Sequence, residues 1–125
     1  KSDSVNFAVV PAITEVEPNN GRPAANELVP GVLTYGQNDY SGDEDWYFAE
    51  LNPGQSLQFT LRRSIDADNG YFSYSAYGDA YDAAGGYLAD ANRTVTNSGA
   101  ALARYYLRVT SSGQIPYAVT VDYFD

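Results

Sequence analysis

Gln55-Ser56-Leu57-Gln58-Phe59-Thr60-Leu61-Arg62-Arg63 places Leu57, Phe59 and Leu61 on one side of an extended chain and Ser56, Gln58, Thr60 and Arg62 on the other. Side chains alternate across a strand with period two, so this stretch reads as a strand with one face in a core and one in water. The pattern recurs downstream. Residues 103–109 set Tyr105, Leu107 and Val109 against Arg104, Tyr106 and Arg108, and residues 117–123 carry Val119 and Val121 on one side. Further candidates are residues 28–35, 45–51, 71–77 and a short piece at Tyr87 and Leu88. Turn sequences lie between them: Asn52-Pro53-Gly54, Asp68-Asn69-Gly70, Gly85-Gly86 and Ser111-Ser112-Gly113. No ten-residue window has helical spacing; the best, residues 79–92, is interrupted by two glycines. The expected fold is all-β, an antiparallel β-sandwich, jelly-roll-like, of about seven to eight short strands.

With 125 residues, 44% of them hydrophobic, the chain can fill one core. Residues 1–12 read as a linker or edge strand, and residues 13–125 as a single sandwich domain. Residues 13–25 hold two prolines, a glycine and paired asparagines, which leave an ordered loop or nothing regular. The chain has no Met and begins at Lys1, so a piece of a longer, processed protein is expected.

Composition excludes much chemistry. There is no Cys and no His, which removes disulfides, thiol nucleophiles, imidazole bases and the usual zinc and copper ligands. A net charge of −9 with only seven Lys and Arg residues makes nucleic acid and anionic membranes poor partners, because phosphate binding needs clustered cations. No apolar run reaches the roughly 18 residues of a membrane span. The carboxylates lie in turns and not across a groove, and the serines have no histidine, no nucleophile-elbow spacing and no Ser-x-x-Lys. An enzyme is not expected.

One constellation points to a metal. Glu15 and Glu17 alternate in an extended segment and so project to the same side, and the turn at Pro18 brings Asn19 and Asn20 round towards them. Asp43 and Asp45 enter the next strand, giving up to six oxygen donors with several negative charges. Such a set suits calcium far better than zinc. If the acids merely decorated a loop, Trp46 and Phe48 would be core residues. Residues 66–70 begin like an EF-hand loop, but the glycine falls one place early and no glutamate follows at the twelfth position, so they read as a turn.

The series Glu15-Val16-Glu17-Pro18-Asn19-Asn20, Ala25-Asn26, Asp43-Glu44-Asp45-Trp46-Tyr47-Phe48, Asn52-Pro53-Gly54-Gln55-Ser56-Leu57 and Arg104-Tyr105-Tyr106-Leu107-Arg108-Val109, closed by the strand at Tyr117, Val119 and Val121, resembles the bacterial pre-peptidase C-terminal domain. That family includes the collagen-binding domains of clostridial collagenases. The resemblance runs from about Glu15 to Val121, with its motifs in the same order. It implies calcium held by Glu15, Glu17, Asn19, Asn20 and Asp45 where the linker joins the sandwich. In calcium-binding members a second aspartate lies three residues before the one matching Asp45. Here that position is Gly42, and Asp43, Glu44 or a backbone carbonyl is left to supply the sixth ligand.

The resemblance also implies a non-catalytic accessory role beside the catalytic domain of the same parent chain, in a secreted, extracellular bacterial hydrolase. The module would anchor that enzyme to an insoluble fibrous protein or polysaccharide, or assist secretion. A carbohydrate-binding module and a structural spacer are the alternatives, and a monomer is expected. Tyrosine combines an apolar face with a polar edge and recognises sugars by stacking and proteins by packing. Tyr106, alternating away from Leu107 and Val109 and flanked by Arg104 and Arg108, is the best surface candidate. Tyr74, Tyr77 and Tyr123 are weaker ones, since each equally suits a half-buried sheet position.

Overall fold

Period-two alternation holds along the long strands of the computed structural model, which describes residues 12–17, 19–38, 43–63, 76–111 and 115–124. Among these, ten strands and one short 3-10 turn appear: β1 Ala12–Thr14, the turn Arg22–Ala24, β2 Asn26–Glu27, β3 Leu33–Asn38, β4 Asp45–Leu51, β5 Ser56–Arg63, β6 Ala76–Tyr81, β7 Tyr87–Asp90, β8 Thr94–Thr96, β9 Ala103–Ser111 and β10 Ile115–Phe124. They form two five-stranded sheets, ordered β1-β3-β10-β5-β8 and β2-β4-β9-β6-β7.

The sheets pack face to face as a β-sandwich. Leu57 and Phe59 of β5 and Val119 and Val121 of β10 supply one inner face, and Tyr47, Ala49 and Leu51 of β4 with Tyr105, Leu107 and Val109 of β9 supply the other. Register keeps them aligned: Val119 pairs with Leu61 and Val121 with Phe59, while Tyr47 pairs with Leu107 and Ala49 with Tyr105. A one-residue slip would turn every one of these side chains to the wrong face. Each fully buried Leu, Val or Phe contributes roughly 1.5–3 kcal/mol.

The sheets depart from the antiparallel expectation at one edge each. β1 runs parallel to β3, and β2 runs parallel to β4. β1 straddles the boundary between the residues read as linker or edge strand and those read as a loop, and β2 lies between that loop and the expected strand 28–35. They reach their neighbours across a long separation in sequence, which local periodicity does not register. The chain from β1 to β2 therefore crosses from an edge of one sheet to an edge of the other. Leu28 follows β2, its amide bonded to Phe48 O at 2.9 Å, and of the expected strand 28–35 only residues 33–35 are strand, as the start of β3. The expected strand 71–77 is described only from Ala76, where β6 begins. The EF-hand-like residues 66–70, and residues 1–11, lie outside the described part.

β4 inverts the intuitive reading of its sequence. Asp45, Tyr47, Ala49 and Leu51 are buried, whereas Trp46 and Phe48 are only half-buried and Glu50 is exposed. The two large aromatics stand on the outer face, and a carboxylate stands on the inner one.

Candidate functional site

An aspartate aimed inward needs partners, and the crossing segment brings them. Its backbone is fastened to both sheets: Glu15 N donates to Tyr35 O at 2.8 Å, and Trp46 N donates to Asn19 O at 2.8 Å. Between these anchors the carboxylates of Glu15 and Glu17 come together with that of Asp45, one oxygen from each lying within 4.8 Å of the others. Glu15 is half-buried, Glu17 is exposed, and Asp45 is fully buried.

Hydrogen bonds fix the group from several sides. Gln37 N donates to Glu15 Oε2 at 2.6 Å, and Asn19 Nδ2 donates to Glu15 Oε1 at 2.9 Å. The Asn19 amide N–H also reaches Glu17 Oε1 at 3.3 Å. From the opposite sheet, Tyr117 Oη donates to Asp45 Oδ2 at 2.6 Å. Tyr117 Oη lies 2.7 Å from Tyr47 Oη, which in turn donates to Glu15 Oε1 at 3.4 Å. Gly36 makes the tyrosine pair possible. A Cβ there would lie 2.5 Å from Tyr117 Oη and 2.6 Å from Tyr47 Oη.

The electrostatics follow from this crowding. Two ionised carboxylates with oxygens no more than 4.8 Å apart repel by roughly 3 kcal/mol or more at an effective dielectric constant of about 20, before any cost of burial. Desolvation by burial is the largest influence on Glu15 and raises its carboxyl to about 7, with the Gln37 and Asn19 hydrogen bonds opposing it and the Glu17 charge adding to it. Desolvation likewise raises Asp45 to about 8, against the Tyr117 hydrogen bond and with help from the charges of Glu15, Glu17 and Asp43. Burial also pushes the phenols of Tyr47 and Tyr117 well up, so they remain hydroxyl donors.

Asn19 is wholly buried, and its Oδ1 has no hydrogen-bond partner. An unsatisfied buried amide oxygen costs about 1–3 kcal/mol, and this one belongs to a residue already bonded to both glutamates. Asp43 is buried beside the group, its charge felt by Asp45. Asn20 is exposed, and no hydrogen bond among the described residues ties it to the acids. The donors are all hard oxygens, with neither sulfur nor imidazole in the chain, and the set fits a hard divalent cation.

The outer face of the second sheet holds the other sequence candidates. Tyr106 lies there, half-buried, between buried Tyr105 and Leu107. Arg104 pairs with Glu50 at 3.4 Å, and Arg108 pairs with Asp79 at 3.2 Å and Glu44 at 3.5 Å. Tyr77 is 55% exposed on the same face. Tyr123 takes the half-buried sheet position that its sequence equally suited, packing against the core as it continues the Tyr117, Val119 and Val121 series at period two. Tyr74 lies outside the described residues.

Sequence reasoning missed the roles of Gln37, Tyr47 and Tyr117. The signal for Tyr117 was present in its alternation with Val119 and Val121, which turns it inward; a buried hydroxyl then calls for a partner. No protein-family model matches the chain, and no curated protein matches it either. Among the described residues, no helix is long and apolar enough to cross a membrane.

Proposed function

We propose that this domain is a non-catalytic, calcium-binding accessory module of a secreted bacterial hydrolase, which holds the enzyme on an insoluble polymer. The observation that carries the metal assignment is the convergence of Glu15, Glu17 and Asp45 upon buried Asn19. Glu15, Glu17 and Asp45 would hold the ion through carboxylate oxygens and Asn19 through its amide oxygen, turned over about its terminal torsion, with Asp43 close enough to add charge. Bound calcium would offset the repulsion among these acids and tie the crossing segment to β4. Absence of His and Cys supports an oxygen-loving cation over zinc or copper. An accessory and not a catalytic role is supported by the sequence resemblance.

The test is thermal melting of the intact chain after exhaustive chelation and again with millimolar calcium. A ligand bound only by the folded state raises stability by about 2.7 kcal/mol at a hundredfold excess over Kd. The melting temperature should rise with calcium and much less with zinc. Identical melting with and without calcium rejects the metal assignment.

A further inference from the structure

Five aromatic rings form a continuous array across the outer face of the second sheet. Phe48 and Tyr106 have centroids 6.4 Å apart, Tyr106 and Trp46 6.3 Å, Trp46 and Tyr81 5.3 Å, and Tyr81 and Tyr87 6.1 Å. The rings come from β4, β9, β6 and β7, so the array runs across the strands and not along one of them. Tyr87 is 58% exposed, and the other four are half-buried.

Guanidinium groups lie over this array. Arg104 sits 3.8 Å from the Phe48 centroid, Arg108 5.4 Å from that of Tyr81, and Arg22 5.9 Å from that of Tyr106. Arg22 reaches there from the crossing segment and is held by a 3.1 Å bond to Ala83 O. The close approach needs Gly85, whose φ is +93° and where a Cβ would lie 2.8 Å from Arg22 Nη1. Two of the guanidiniums, Arg104 and Arg108, pair with three carboxylates, Glu50, Glu44 and Asp79, and a fourth carboxylate, Asp90, accepts from Tyr87 Oη at 2.7 Å. The face thus carries charges of both signs on a chain whose net charge is −9.

We propose that this array is a binding platform for a neutral polysaccharide, a ligand class that rests on the polymer-anchoring function proposed above. Sugar rings present apolar C–H faces that lie on aromatic rings, here Trp46 and Tyr87, which none of these three guanidiniums covers, and their hydroxyls both donate and accept hydrogen bonds. The carboxylates around the platform accept and the guanidiniums donate, so both capacities of a hydroxyl are met. Charge decides against the other polymers. A proline-rich chain also docks on aromatic surfaces. Its prolines lack N–H, however, so Glu44, Glu50 and Asp79 would lose water to a surface poor in donors. An anionic glycan meets those same carboxylates, and a cationic one meets the arginines.

The experiment is affinity electrophoresis of the intact chain in native gels containing hydroxyethylcellulose, xylan, galactomannan or laminarin, in parallel with pull-down on insoluble collagen. At least one neutral glycan should retard the parent. Tyr87→Ala, at the exposed end of the array, should weaken that retardation at least fivefold, and Trp46→Ala at least tenfold. Phe124→Ala, exposed on the other sheet, should leave it unchanged. If Trp46→Ala fails to fold, Tyr87→Ala decides alone. Collagen retention with no glycan retardation overturns the glycan platform and keeps the anchoring function. Retention on neither overturns both, and glycan binding indifferent to Tyr87→Ala places the site elsewhere and overturns the platform.

Discussion

Tyr117 Oη donates a 2.6 Å hydrogen bond to Asp45 Oδ2, joining β10 of one sheet to β4 of the other through the interior. This contact aims the buried aspartate at Glu15 and Glu17. Groups behind a ligand typically matter by tenfold to a hundredfold in metal affinity. Tyr117→Phe keeps the ring and deletes the donor, leaving Asp45 and Tyr47 each short of one bond. We expect calcium affinity to fall about tenfold and stability by about 1–3 kcal/mol. Calorimetric titration and urea unfolding measure the two, and an unaltered calcium affinity would show that Tyr117 has no part in positioning the site.

Gly36 gives a second handle on the same pair. An added methyl would stand within 2.6 Å of both phenol oxygens, which are held to one another and to the acids and have little room to retreat. Overpacking of this kind costs about 1–3 kcal/mol. Gly36→Ala should lower the urea midpoint accordingly. It should also weaken calcium binding, since the phenols can clear the methyl only by leaving Asp45 or Glu15. Full stability in Gly36→Ala would mean that the tyrosine pair shifts freely.

How much of this was legible in the sequence depends on where the information sits. β5, β9 and β10 were plain, because their apolar residues alternate and both neighbours of each lie in the same half-buried sheet. β1 and β2 were not, since each exists only through a parallel partner distant in sequence. β8 is a three-residue strand with only Val95 buried, too short for a period. Glu15, Glu17 and Asp45 could be named from spacing, but which asparagine turns in could not: Asn19 and Asn20 are the same residue type side by side, and only the bond from Trp46 N to Asn19 O settles the choice. Trp46 is the sharpest case. Hydrophobicity assigns it to the core, yet Tyr47 takes the inner position, on the face it shares with Asp45, Ala49 and Leu51, where its hydroxyl meets Glu15 and Tyr117.

The raised carboxyls predict an unusual pH dependence in the metal-free domain. Glu15 lies at about 7 and Asp45 at about 8 when folded, against ordinary values of 4.5 and 3.8. Between those limits the folded state binds more protons than the unfolded chain, so stability falls as pH rises. Their contribution is fully present below about pH 4 and lost as pH climbs through 7 to 8. Calcium bound at these carboxylates would oppose that slope, because it competes with the same protons. Urea midpoints at pH 5.5 and 8.0 should thus fall with pH in divalent-free buffer, and the gain from calcium should be larger at pH 8.0. A metal-free midpoint that rises over this interval would show that the acids are ionised without a cation.

Tyr105 and Tyr106 are adjacent in β9 and identical in composition, so local strand propensity cancels between them and only their faces differ. Tyr105 is 8% exposed within the core. Its truncation removes a large buried ring and leaves a cavity, for which about 3–5 kcal/mol is usual. Tyr106 is half-buried on the outer face, held by Phe48, Trp46 and Arg22, all partly in water themselves, and they can close over a gap that the core cannot. Tyr106→Ala should cost about 1–2 kcal/mol from area alone. At roughly 4 °C per kcal/mol for a domain of this size, Tyr105→Ala should lower the melting temperature by 12 °C or more and Tyr106→Ala by about 4–8 °C. The ordering matters more than either value. Equal losses, or a greater loss at Tyr106, would mean that the outer array contributes as much to folding as the core face does, and that its rings are not available to a ligand.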